Sequence, residues 1–157
     1  MAKPKKSKRF EYNLKTVLKH REIKEKEEQD KYQKAERQFQ EEKRKEEQMK
    51  REQEERYHEL AAEMQGGQAV DLQHIFMRQA HLEVLKEQVI VQEKKRYDAE
   101  DEKKAQQERL IQAVKEKKIL EKDKEKKKEQ WRKLMVKEEN KFLDDIANIG
   151  FVRKHYS

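Results

Sequence analysis

Apolar residues recur along most of this chain at alternating steps of three and four. Leu14, Leu18, Tyr32, Ala35, Phe39, Met49 and Leu60 fall on the a and d positions of one heptad register, and the other seven a/d positions, Arg21, Glu25 and Gln53 among them, are polar. A repeat of this period predicts an α-helix that buries one narrow stripe, and a half-filled stripe predicts weak pairing on its own. Gly66-Gly67 interrupts the pattern, and glycine commonly ends a helix in the left-handed conformation. Asp71 is a good N-cap, with Val70 and Ile75 at the spacing of a hydrophobic staple. A second register then holds its phase through Ile75, Leu82, Leu85, Val89, Ala99, Leu110, Ala113, Leu120, Trp131 and Leu134.

Two long helices joined by a short turn predict antiparallel neighbours. The expected fold class is all-α, an antiparallel coiled-coil hairpin. Its expected parts are a basic N-terminal segment 1–13, helix one 14–65, a turn 66–70, helix two 71–149 and a tail 150–157. Folding about the glycine pair sets Leu60 near Ile75, Met49 near Leu85, Phe39 under the stem of Arg96, and Leu18 near Lys117 and Leu120. At 1.5 Å per residue the helices span about 75 Å and about 115 Å, so roughly the last 25–30 residues of helix two overhang. That overhang is the most apolar stretch of the chain: Trp131, Leu134, Met135, Val136, Phe142, Leu143, Ile146, Ala147 and Ile149. An exposed stripe of this size calls for a partner, although Phe10 and Tyr12 could cover part of it.

Composition supports the helical reading. Of 157 residues 48% are charged and 32% hydrophobic, too few apolar groups for a core of ordinary size. Pro4 is the sole proline, and Gly66, Gly67 and Gly150 are the only glycines, so neither long segment holds a helix breaker. Acidic and basic residues interleave, with Glu22–Lys26, Glu41–Lys45, Glu46–Lys50 and Glu129–Lys133 at the favourable i,i+4 spacing. The chain has no cysteine, which excludes disulfides and thiolate metal sites. The basic start (Lys3, Lys5, Lys6, Lys8, Arg9) lacks the apolar run of a signal peptide, and no stretch is long and apolar enough to span a membrane.

Enzyme chemistry finds little to stand on. Gly-rich phosphate loops, nucleophile elbows and HExxH are absent. His74 and His81 share a helical face without a third ligand, and Asp144-Asp145 has no pocket to tune it. No catalytic, cofactor-binding or metal-binding residue is expected, and no cofactor. The lysines from Lys124 to Lys128 enclose Glu125 and border Glu121, Asp123 and Glu129, the pattern of a solvated face. No nucleic-acid partner is expected.

Three segments resemble a known family. Phe10-x-Tyr12-x-Leu14-x-x-Val17-Leu18-x-x-Arg21 is similar to the start of the flagellar export protein FliJ family. Glu138-Glu139 followed by Leu143-Asp144-Asp145-Ile146-Ala147 resembles its closing acidic motif, with Asp145 where Glu is commoner. Between them lie a Gly-containing turn and Leu82-x-x-Leu85-x-x-x-Val89-x-x-Gln92. The resemblance implies a cytoplasmic, non-enzymatic component of the bacterial flagellar type III export apparatus, peripheral at the inner membrane. It also implies a hairpin similar to the rotary ATPase γ-subunit stalk and to the YscO group. Three partners are implied: the export ATPase hexamer, the large cytoplasmic domain of the export gate, and escort chaperones for late substrates. Carried over, the ATPase contacts would be Phe10, Leu14, Leu18, Arg21, Trp131, Leu134, Met135, Phe142 and Ile146. The gate contacts would be Tyr57, His81, Leu85, Gln88 and Gln92, with His81 replacing an aromatic and Gln88 a small apolar residue. A virulence-type secretion stalk, a basic nucleic-acid-binding helix and a structural dimeric coiled coil are the competing readings.

Overall fold

The computed structural model describes residues 9–66 and 71–156, the side chain of Tyr156 excepted. The basic residues Lys3, Lys5, Lys6 and Lys8, and Gly67 and Val70 of the expected turn, lie outside the described residues. Two helices, α1 (Lys15–Gln65) and α2 (Leu72–Tyr156), pack against each other as an all-α hairpin. The entry to α1 is set by Lys15 N–H donating to the Tyr12 carbonyl at 3.1 Å and Leu18 N–H to Leu14 at 2.9 Å. At its end Gly66 N–H still bonds the Ala62 carbonyl at 3.1 Å. No described glycine has positive φ, so the left-handed step expected of the glycine pair is not taken at Gly66, where the helical ladder simply continues. Asp71 caps α2 as expected: its Oδ1 accepts from Gln73 N–H at 3.1 Å.

The other end of α2 differs from expectation. The helix runs through Gly150 to Tyr156 instead of stopping at Ile149. A lone glycine costs a helix only about 1 kcal/mol and does not end it without a proline or a reversal. The last turn carries Arg153, Lys154 and His155, which suit the negative end of the helix dipole. Phe151 and His155 stack there at 4.1 Å.

Contacts divide the chain into a loop unit, residues 26–111, and a terminal unit, residues 1–25 with 112–157. In the loop unit Leu60, Ile75, Leu82 and Leu85 form a buried cluster next to the turn, and Val89 is buried at the next seam position. Beyond Val89 the seam turns polar. Gln92 Nε2 donates to both the carbonyl and the carboxylate of Glu42, at 3.0 and 2.5 Å. Gln106 repeats the contact on Glu28, at 3.3 and 2.5 Å. Between these layers Lys103 pairs with Glu36, and Arg96 reaches past the first of them to Glu46. Each of these four carboxylates faces a cation or an amide donor across the seam, which offsets the cost of taking it out of water.

The electrostatics follow the pairing. The Gln106 amide holds Glu28 below the ordinary carboxylate range, and Lys103 does the same for Glu36. Burial opposes ionisation of Glu46, yet Lys50 and Arg96 outweigh it and its pKa falls. Phe39 is covered by Lys103, whose Nζ lies 4.8 Å from the ring centre. The carboxylate of Glu46 and the ring of Tyr97 (4.2 Å) take the Arg96 guanidinium.

In the terminal unit Tyr12, Leu18 and Ala113 are buried. Lys117 pairs with Glu25 and Arg21 with Glu116, both at 2.5 Å.

Candidate partner-binding surfaces

The terminal unit is closed on one side and open on the other. Ahead of α1, Tyr12 donates its hydroxyl proton to Asp123 at 2.5 Å, and Lys127 sits 5.5 Å from the Tyr12 ring centre. That hydrogen bond holds Asp123 below its ordinary range and pushes Tyr12 up to about 12. Phe10 packs on Trp131 with ring centres 6.1 Å apart and planes tilted by 57°, a geometry worth about 0.5–1.5 kcal/mol beyond area burial. Cover by Phe10 and Tyr12 therefore reaches Trp131.

Beyond it the cover ends. Every residue from 136 to 155 is exposed, including Phe142 at 64%, Ile146 at 50% and Phe151 at 61%. The stripe also changes direction. Continuing the seam past Leu134 would require Glu138, Lys141, Asp145 and Asn148 as core residues. The three-and-four spacing instead restarts one residue later, at Met135, and runs through Glu139, Phe142, Ile146 and Ile149, with Val136 and Leu143 alongside. One residue turns a helix by about 100°, so this face is distinct from the one that meets α1.

The residues assigned by resemblance to the ATPase end thus fall into two sets. Phe10, Leu14, Leu18, Arg21 and Trp131 are partly or wholly covered within the terminal unit, Arg21 through its pair with Glu116. Leu134, Phe142 and Ile146 are exposed, and Met135 is half-buried between the sets. Phe151 and Val152, exposed at 61% and 52%, add to the apolar surface. The expected helix end at Ile149 had hidden them.

The residues assigned to the gate end divide as well. Leu85 (5%) and Gln92 (3%) are seam residues. Tyr57, His81 and Gln88 are exposed, but Tyr57 occupies an e position, the flank that carries the Lys50–Glu93 ion pair at 3.2 Å. His81 and Gln88 occupy g positions on the other flank. There His81 lines a shallow depression with Arg56, His74, Met77 and Arg78. Gln88 lines a groove with Met49, Val84, Glu87, Val91, Gln92 and Lys95. Met77, Val84 and Val91 repeat every seven residues and are 70%, 50% and 56% exposed. An off-seam heptad of apolar residues was the signal for them, and reading the seam alone passes over it.

Candidate chemistry does not assemble. Among the described residues no group of three His, Asp or Glu could hold a metal, and His74 is committed to Glu63 at 2.5 Å. Asp144 and Asp145 are exposed. Lys127 pairs with Asp123 at 3.4 Å, so the lysine run is partly neutralised by its own helix. No described helix is long and apolar enough to cross a membrane.

Comparison with known proteins gives one finding that spans both units. No curated protein and no solved structure matches the chain. The chain is nevertheless matched from residue 10 to residue 155 by the family model described as flagellar FliJ protein, and it belongs to the FliJ family.

Proposed function

We propose that this protein is the central stalk and coupling factor of the flagellar type III export ATPase. Membership of the FliJ family makes it a component of flagellar protein export, and that family is non-catalytic. The observation that carries the finer reading is the exposed stretch 136–155, whose apolar stripe is turned by about 100° from the seam that meets α1. This end enters the ATPase ring and favours the hexamer, because a ligand that binds the assembled form selectively shifts the equilibrium toward it. The Met77–Val84–Val91 stripe, with His81 and Gln88 beside it, is the surface offered to the export gate or to escort chaperones. The protein then sits at the membrane through the apparatus and not through lipid contacts of its own.

The test is direct. Stoichiometric full-length protein is added to the export ATPase, and hexamer formation by sedimentation velocity and ATP hydrolysis are followed. Both should rise with the wild type and stay at baseline with Phe142→Ala/Ile146→Ala. An ATPase indifferent to the wild-type protein refutes the stalk role.

A further inference from the structure

Charge is segregated along the hairpin. The loop unit holds 18 Lys and Arg against 22 Asp and Glu, a net −4, whereas the terminal unit holds 23 against 12, a net +11. Within that basic unit one stretch goes the other way. Residues 134–149 carry Lys137 and Lys141 against Glu138, Glu139, Asp144 and Asp145, and they coincide with the exposed apolar stripe.

The placement is specific. Glu139 occupies a core position of the restarted register, between Met135 and Phe142, and Asp145 runs along one edge beside Phe142 and Ile149. Lys137 and Lys141, each two residues from Glu139, lie across the helix from it, whereas Lys141 is the i,i+4 neighbour of Asp145. An apolar surface that buries Glu139 must supply a cation to it, because a buried carboxylate without a partner is strongly unfavourable.

We infer that the stripe 135–149 docks on a different protein chain, in an apolar groove that presents a lysine or arginine to Glu139 and a basic rim to Asp145. The inference rests on the ring-binding reading for the identity of that chain. A second copy of this chain fits poorly. A parallel pair sets Glu139 against its own equivalent. An antiparallel pair with layers of Phe142 on Ile146 sets Asp145 beside the other copy's Asp145.

Binding of the full-length protein to the export ATPase hexamer, measured by fluorescence anisotropy across a salt series, tests this. Phe142→Ala should weaken binding as a positive control. Glu139→Lys should weaken it by about ten-fold or more, and Asp145→Lys by less with a flatter salt dependence, as for central and rim charges of an interface. Both positions are exposed in the free protein, so helicity should not change. If the wild type binds, Phe142→Ala weakens binding and the two charge reversals do nothing, the basic-groove inference is overturned while the ring reading stands. If the wild type does not bind, the ring reading itself falls. A wild-type dimer in sedimentation equilibrium that Ile146→Ala dissolves overturns the inference in favour of a second copy.

Discussion

Gln92 offers a test in which the sign of the effect, and not only its size, follows from the structure. The residue is 3% exposed, and its amide donates to the carbonyl and carboxylate of Glu42, itself 8% exposed. Replacing Gln92 by leucine supplies a side chain of similar volume that suits an a/d position. It also strips Glu42 of its cross-helix donor, leaving Gln38 at 3.0 Å and Lys45 at 4.0 Å from the same helix. A buried acceptor that loses its partner costs about 1–3 kcal/mol, more when charged. The neighbouring donors and nearby water place Gln92→Leu near 2 kcal/mol of destabilisation on that scale. Gln92→Leu/Glu42→Leu removes the orphan and adds an apolar layer, so the double variant should recover at least wild-type stability, since apolar replacement of a buried polar cluster is often neutral or gains about 1–4 kcal/mol. Urea unfolding followed by circular dichroism at 222 nm, with the slope compared across variants, reads both. A double variant as unstable as the single one would refute the orphaned-carboxylate reasoning.

Three further outcomes are expected. Glu28, Glu36, Glu46, Glu59 and Asp123 titrate below their ordinary values, so their stabilisation is complete above the unfolded-state values and is lost as pH falls through the lower folded ones. Lys50, Lys103 and Lys117 are raised and Tyr12 is pushed up to about 12, so their contribution holds below the unfolded-state values and disappears as pH rises through the folded ones. Helicity should therefore be flat across neutral pH and fall at both extremes, and a transition centred near pH 6 would contradict this. Phe10→Ala should shift the emission of Trp131, the single tryptophan, to longer wavelength with little loss of helicity, and an unchanged spectrum would mean the pair does not form. At Gly150, where an added Cβ meets nothing within 4 Å, alanine should favour the helix by about 1 kcal/mol, seen as several-fold slower amide exchange over residues 149–155.

The hairpin was open to reading from sequence because its signals are local and redundant. The a/d pattern, the Asp71 cap and the lack of breakers all point the same way. The fate of the polar seam residues was not. Long charged side chains reach several residues along a neighbour, so spacing alone does not say that Glu46 takes the Arg96 guanidinium or that Lys103 takes the Phe39 ring. The end of α2 was misjudged because Gly150 looks like a terminator, whereas an exposed helix end asks nothing of the residue there beyond its intrinsic propensity. The overhang was recognised as apolar, but its one-residue phase change at Met135 appears only when the seam is followed past Leu134. Tyr57 and His81 share a neighbourhood in the linear pattern yet occupy opposite flanks, since e and g positions diverge around the seam.

The paired glutamine contacts have a consequence for register. Gln92 on Glu42 and Gln106 on Glu28 are the same contact two heptads apart on both helices. Slipping α1 by one heptad, about 10 Å, would set Gln92 against Ala35 or Met49 and Gln106 against Arg21 or Ala35, and both clasps would be lost together. A seam held only by scattered leucines would tolerate such a slip; one pinned at two equivalent points acts as a gauge. It fixes which residue of α1 meets which residue of α2 within the loop unit, and a variant that loosens both layers should free that register before it unfolds either helix.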